Sequence, residues 1–403
     1  MIAARSGGGT SQVLAVVVVV VGWHARVANT AEVQDVASYN NRGTAWLENG
    51  DYDRAIAAFD EAIRCNPNDA RAYYNRGLAR GYKKAYEKAI QDLTRAIDLD
   101  PKDACAYCNR GLVSGYAQQY DRAIEDFTRA ISLDPKYVNA YFCRGWARAR
   151  KKDYDRAIAD YTQAISLDPK CVRAYFSRAW TWAEKKEYNR AIADYDRVIC
   201  LDPNLALAYC NRGIAKACKK DYDKAIADYT QAIGLNPADG YMYNKRGEAW
   251  MEIESATEKK QMKKSLPDFA QAIRYGPNDA RAYYNFGMAC LYEREYDRAI
   301  ANFTRAISLN PNDYAAYYRR GIALIMKGTY DAATTDLLAA IKLDRANRMN
   351  ERAAAYAEKG DFEKARKCET KAIEALGKET ENRDFLFRLE LYKQNKPYYP
   401  ETN

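Results

Sequence analysis

Along most of the chain, apolar residues recur at helical spacing in pairs of short segments. Prolines punctuate the pairs. Pro67, Pro101, Pro135, Pro169, Pro203 and Pro237 are each 34 residues apart; Pro277 follows after 40 and Pro311 after 34. The next step lands on Arg345. With repeat position 32 fixed at these prolines, position 4 is tyrosine in nine copies, from Tyr39 to Tyr317. Position 8 is glycine in eight copies, from Gly43 to Gly321, with Ala179 as the exception. Position 20 is alanine, with Ser265 in the one irregular copy. Position 24 is aromatic or leucine: Phe59, Leu93, Phe127, Tyr161, Tyr195, Tyr229, Phe269, Phe303 and Leu337.

This pattern predicts a helix A over positions 2–14 and a helix B over positions 16–28. Small residues at 8 and 20 remove bulk where the helices cross, and the residue at 24 fills the space. Asp51, Asp153 and Asp221 are placed to cap helix B. The residue before each proline avoids helical geometry, so helix B ends there. Each hairpin leaves an apolar face that the next one covers, which makes a solenoid. A length of 403 residues would otherwise suggest two or three domains of about 150 residues. The repeat makes it one quasi-linear array.

The unit resembles the tetratricopeptide repeat over about 36–379. The resemblance implies an all-α, right-handed superhelical solenoid of about ten helix–turn–helix hairpins. They start near 36, 70, 104, 138, 172, 206, 240, 280, 314 and 346, the last being degenerate. A helix within 380–395, carrying Phe385, Leu386, Leu389 and Tyr392 at helical spacing, is expected to cap the array, and 396–403 to be a disordered tail.

The resemblance also implies that positions 2, 5, 6, 9, 12 and 13 of helix A line the concave face. Asparagines recur there at position 6: Asn41, Asn75, Asn109, Asn211 and Asn285. An amide can both donate to and accept from a peptide backbone, or serve as solvated filler. Phe142 and Trp146 in the fourth repeat, and Phe176 and Trp180 in the fifth, lie four apart on one helical face. Tyr74, Tyr284 and Tyr318 extend the aromatic lining. These eleven residues, Asn41 aside, are the expected partner-binding groove; packing between repeats is the competing role. The family's carboxylate clamp is not supported, because position 5 is never lysine and position 9 never asparagine.

The seventh repeat has six extra residues within about 251–264, including Lys259, Lys260, Lys263 and Lys264. Ser265, Pro267 and Asp268 resemble a capping start, so helix B is expected to restart near Ser265. Residues 254–264 are then a lengthened helix A or a protruding turn, and a flexing point.

Charge sharpens the picture. There are 63 Lys+Arg against 54 Asp+Glu, a net +9. Position 7 is arginine at Arg42, Arg76, Arg110, Arg144, Arg178, Arg212, Arg246, Arg320 and Arg352; these nine equal the basic excess, 63 − 9 = 54. Position 23 is aspartate at Asp92, Asp126, Asp160, Asp194, Asp228, Asp268 and Asp336. The eighth repeat has Phe286 and Asn302 there, so both charges vanish together. This predicts arginine–aspartate pairs joining helix A to helix B. The rival is an arginine stripe for phosphates in an RNA-binding solenoid, with tyrosines stacking on bases.

His24 is the only histidine, so histidine-based catalysis and histidine-bearing metal sites lack their key residue. No catalytic residue, metal or cofactor is assigned. Cys105 and Cys108 form the sole C-x-x-C pair among ten cysteines, and free buried thiols suit a reducing compartment. The tail argues otherwise. Residues 13–23 form an apolar run too short to span a bilayer, with Arg5 as its positive flank, as in a signal peptide. Its cleavage end is poor, because Trp23 and Arg26 fall where small residues belong. An uncleaved anchor, a mis-assigned start and a cytoplasmic location stay open, and a membrane would be met only through 13–23. The leading expectation is a non-enzymatic scaffold that holds a peptide or helix of a partner protein.

Overall fold

The computed structural model describes residues 31–255, 262–358, 360–376 and 383–397. The apolar run 13–23, His24, Lys259, Lys260 and residues 398–403 lie outside them. Every described secondary-structure element is an α-helix, and contacts divide the chain at 203/204 into two compact units. The first unit holds α1 (Ala31–Glu48), α2 (Tyr52–Cys65), α3 (Ala70–Tyr82), α4 (Tyr86–Leu99), α5 (Ala104–Tyr116), α6 (Tyr120–Leu133), α7 (Val138–Arg150), α8 (Tyr154–Leu167), α9 (Val172–Glu184) and α10 (Tyr188–Leu201). The second holds α11 (Ala206–Cys218), α12 (Tyr222–Leu235), α13 (Gly240–Ser255), α14 (Ser265–Tyr275), α15 (Ala280–Tyr292), α16 (Tyr296–Leu309), α17 (Tyr314–Lys327), α18 (Tyr330–Glu358), α19 (Phe362–Leu376) and α20 (Arg383–Lys393). Within each unit, successive helices pair as hairpins, and each helix B packs on the next helix A.

The hairpin core follows from positions 8, 20 and 24. A Cβ built on Gly111 would lie 2.8 Å from Phe127 Cε1 and 3.1 Å from the Ala123 carbonyl. The alanines at position 20 are fully buried, among them Ala55, Ala123, Ala157 and Ala225. The turn between helices A and B places its position-15 residue in the left-handed region: Lys84, Gln118, Lys152, Lys186, Lys220 and Arg294 have φ of 60–64°. Gly50 and Gly328 occupy the same place with φ of 77° and 86°, where glycine removes the Cβ penalty.

The capping expectation needs correction. Asp51 does cap α2, accepting from the Arg54 N–H at 3.1 Å. Asp153 and Asp221 stand at N-cap positions without a side-chain cap bond; Asp221 instead meets Lys224 Nζ at 2.8 Å. The dependable caps belong to helix A. Asp69, Asp103, Asp279 and Asp313, just after the prolines, accept from backbone N–H groups of α3, α5, α15 and α17.

In the seventh repeat α14 starts at Ser265, as expected, and α13 runs on to Ser255. Ser265 is not the cap. The Glu254 carboxylate reaches across and accepts from the Lys264 N–H at 2.7 Å, the Ser265 N–H at 3.2 Å and Ser265 Oγ at 2.7 Å. A tertiary carboxylate thus satisfies the donors that a local cap would take.

The C-terminal end departs further. No break occurs near 345. Without a proline there, helix B of repeat 9 and helix A of repeat 10 fuse into the 29-residue α18. A helix, α20, stands where the cap was expected: Tyr392 is fully buried with Ala353, Ala357 and Ala365, but Leu386 is exposed.

Candidate functional site

The arginine ladder is internal to the fold. Arg110 donates through Nε (3.0 Å) and Nη2 (2.6 Å) to the two carboxylate oxygens of Asp126. Arg76–Asp92, Arg178–Asp194, Arg212–Asp228, Arg246–Asp268 and Arg320–Asp336 repeat the same fork. Arg144 also engages both oxygens of Asp160. All seven aspartates are buried. The free Nη1 reaches back one repeat: Arg110 to Thr94 Oγ1 (3.1 Å), Arg178 to Thr162 (2.8 Å), Arg320 to Thr304 (3.0 Å). Each such guanidinium therefore ties its own hairpin together and joins it to the one before. It also lies over the position-4 tyrosine of its own helix, as Arg144 does at 5.6 Å from the Tyr141 centroid. The Asp268 hydrogen bonds hold the Arg246 guanidinium above its ordinary range. These seven arginines are not a stripe for phosphates.

The expected groove residues divide. Phe142 and Phe176 belong to the core. Phe142 packs on Tyr161 with centroids 5.8 Å apart, and Phe176 on Tyr195 at 5.6 Å; both are buried. Phe142 and Phe176 therefore pack on helix B of their own hairpins, which corrects their assignment to a groove. Trp146 is half-buried over Gly115, where a Cβ would stand 2.4 Å from its ring, and contacts Tyr116 at 5.7 Å. Trp180 is half-buried too, and its indole N–H finds no acceptor among the described residues. Asn109 Nδ2 donates to Tyr74 Oη (2.8 Å) and to the Cys105 carbonyl (3.0 Å), so that pair is a contact between neighbouring repeats. Asn75 is buried, Asn211 half-buried, and Tyr284 half-buried against Phe303. Tyr318 is exposed.

The structure brings together another set. In the second unit, α11, α13 and α15 frame a cleft of about 410 Å³. Its wall is apolar at Ile214 and Met251 and aromatic at Tyr222 and Tyr241, with Lys245, Glu248, Glu252, Arg281 and Asn285 as polar groups. Glu248 is the hub. It meets Lys245 Nζ at 2.8 Å, Arg281 Nε at 3.3 Å and Asn285 Nδ2 at 3.0 Å. Asn285 Nδ2 also donates to Asn244 Oδ1 at 3.0 Å. Glu252 and Arg281 remain exposed at the rim. Of the expected groove residues only Asn285 lines this cleft. The charged members occupy positions 2, 6, 9 and 13, the lining positions implied by the repeat, but attention to asparagine and aromatic residues passed them over.

Thiol and phenol chemistry is muted. All ten cysteines are free. A hydrogen bond with Cys143, then burial, raises the Cys108 thiol, and burial raises Cys105 and brings Cys290 to about 11. Such thiols stay protonated and are poor nucleophiles. Among the described residues no three His, Cys, Asp or Glu converge as metal ligands, and no helix is long and apolar enough to cross a membrane. Burial, followed by Tyr52 and Tyr116, raises Tyr82 to about 12; burial likewise raises Tyr74, Tyr161 and Tyr229. The folded chain therefore favours the neutral phenols. Their contribution is whole below the unfolded value of about 10 and is lost as pH climbs toward 12. Denaturant midpoints should be level up to about pH 9 and fall between pH 10 and 12. A full tyrosinate absorbance change near pH 10 with unchanged circular dichroism would contradict this.

Two stacks of helical hairpins, each with its helix A faces presenting polar and aromatic side chains, define a repeat scaffold of the protein-interaction class. Tetratricopeptide repeat models match residues 40–104, 144–206 and 284–348, and further forms of that repeat match 104–137, 127–159 and 206–239. Together these cover more than half of the chain, which belongs to the tetratricopeptide repeat family. No curated protein matches it in sequence. Among solved structures it is similar to MamA at 25% identity (43% of this chain, 95% of that one, TM-score 0.39). It is also similar to YrrB, described as a tetratricopeptide repeat protein with an unusual peptide-binding site, at 25% identity (45% and 93%, TM-score 0.39). A repeat protein from Parabacteroides merdae ATCC 43184 matches at 16% identity (75% and 99%, TM-score 0.47).

Proposed function

We propose that the protein is a non-catalytic scaffold that holds a segment of a partner protein in the cleft between α11, α13 and α15. One observation carries this reading: charged and polar side chains from successive helix A elements converge on Glu248, beside an apolar wall. The rim presents a carboxylate at Glu252 and a guanidinium at Arg281. A segment with a basic residue toward Glu252, an acidic one toward Arg281 and apolar side chains between them fits that lining. The RNA reading loses its main support, because seven position-7 arginines are paired with buried aspartates.

The test is capture of partner proteins from a cell extract by the chain lacking residues 1–30, against the same chain with Glu252→Lys and Arg281→Glu. Both side chains are exposed, and an unchanged circular dichroism spectrum checks that the fold persists without the Arg281–Glu248 pair. Captured partners should fall about tenfold or more, about 1.4 kcal/mol. Undiminished capture by the reversed rim would sink the cleft as the site. Binding of RNA oligonucleotides that weakens steeply with salt would favour the nucleic-acid reading instead.

A further inference from the structure

The second unit leaves one stacking face uncovered. In its earlier repeats the position-5 side chains Cys210 and Asn244 are buried and Tyr284 is half-buried. In repeat 9 the same position, Tyr318, is 47% exposed. Position 28 behaves alike: Ile233 and Ile307 are buried and Ile273 half-buried, whereas Ile341 is 66% exposed. Ile325, at position 12, is exposed beside them, whereas Leu291 at that position in the repeat before is half-buried. Position 5 reaches the next hairpin, as Tyr74 does in accepting from Asn109. Position 25 shows it directly, since Thr304 there accepts from Arg320 at position 7 of the following repeat. Leu338 is position 25 of repeat 9.

The hairpin that should cover this face exists but is carried away. Its helix A is the second half of α18, and its partner α19 packs there through Ala365, against Ala353 and Ala357. A continuous helix of 29 residues is about 43 Å long, against about 21 Å for the 14-residue α17 beside it. The half beyond residue 344 therefore runs past α17 instead of folding back onto it. Each chain thus holds an open acceptor and a displaced hairpin of the kind that fills one.

We propose that a second copy of this chain supplies the cover: two chains exchange their tenth hairpins, with their α18 helices antiparallel. The repeat register fixes the alignment. Position 25 of one repeat meets position 7 of the next, so Leu338 of one copy lies against Arg352 of the other, and Ile341 against Met349. Both pairs centre on Arg345, through which the two-fold axis passes. The exchange is isologous and closes as a dimer. It covers Tyr318, Ile325 and Ile341, which are otherwise left in water.

Light scattering on the full chain tests this. The wild-type protein should show twice the mass of one chain. Ile341→Glu, at an exposed position in the single chain, should keep the helical signal and bring the mass to that of one chain. Arg345→Pro restores the Asp-Pro break that ends helix B elsewhere, as at Asp100 and Pro101. It should let the hairpin fold back on its own chain and also give a single-chain mass. A wild-type protein of single-chain mass overturns the proposal. So does a double mass that persists in Ile341→Glu or in Arg345→Pro.

Discussion

Asp126→Ala should lower the stability of its region by about 3 kcal/mol, because removing one partner of a buried pair strands the other charge. Asp126 is buried and takes both forks of Arg110, whose remaining nitrogen holds Thr94. After the substitution the guanidinium keeps its burial and loses its counter-charge. The pair itself adds much less net stability than its loss costs, since both ions were desolvated to form it. The double replacement Arg110→Phe with Asp126→Asn copies what repeat 8 carries at Phe286 and Asn302. It should recover most of the loss. Urea unfolding followed by circular dichroism measures both. A single substitution costing under about 1 kcal/mol, the range of an exposed pair, would show that the ladder is ordinary surface charge.

Gly145→Val should be of comparable severity, about 3 kcal/mol or more, by overpacking the crossing of α7 and α8. A Cβ at Gly145 would stand 2.8 Å from Tyr161 Cε1 and 3.1 Å from the Ala157 carbonyl. Tyr161 is almost wholly buried and cannot swing out, and the carbonyl belongs to a helix. Gly145→Ala should be milder. Alanine already holds this position at Ala179, and its better helix propensity returns about 1 kcal/mol. Gly234→Ala is the control, since nothing stands within 4 Å of a Cβ there. Equal unfolding midpoints for the valine variant and this control would remove the crossing argument.

Much of the hairpin was legible because the same residues recur in the same places. The arginine–aspartate pairing could be read from its joint absence at Phe286 and Asn302. What escaped is what one repeat does to another. The sequence shows Phe142 and Phe176 on a helical face but not whether that face meets helix B or solvent. Asp153 and Asp221 look like Asp51, and all three meet a basic residue three positions on, yet only Asp51 makes a side-chain cap bond. Glu254 caps α14 across a ten-residue gap that no local motif records. Arg345 was visible as a missing proline, and its consequence, a fused helix, lay in the geometry. The cleft charges, three on α13 and one on α15, acquire meaning only where Glu248 gathers them.

The seam between repeats 7 and 8 has a mechanical character of its own. Phe286 cannot reach back as the arginines do, so this joint lacks the outer tie found between other repeats. It is clasped instead from the cleft side, by Asn285 to Asn244 and Glu248, and by Arg281 to Glu248. Anything that competed for Arg281 or Glu248 would act on the contacts that join these two repeats, so the cleft lining and the seam share the same side chains.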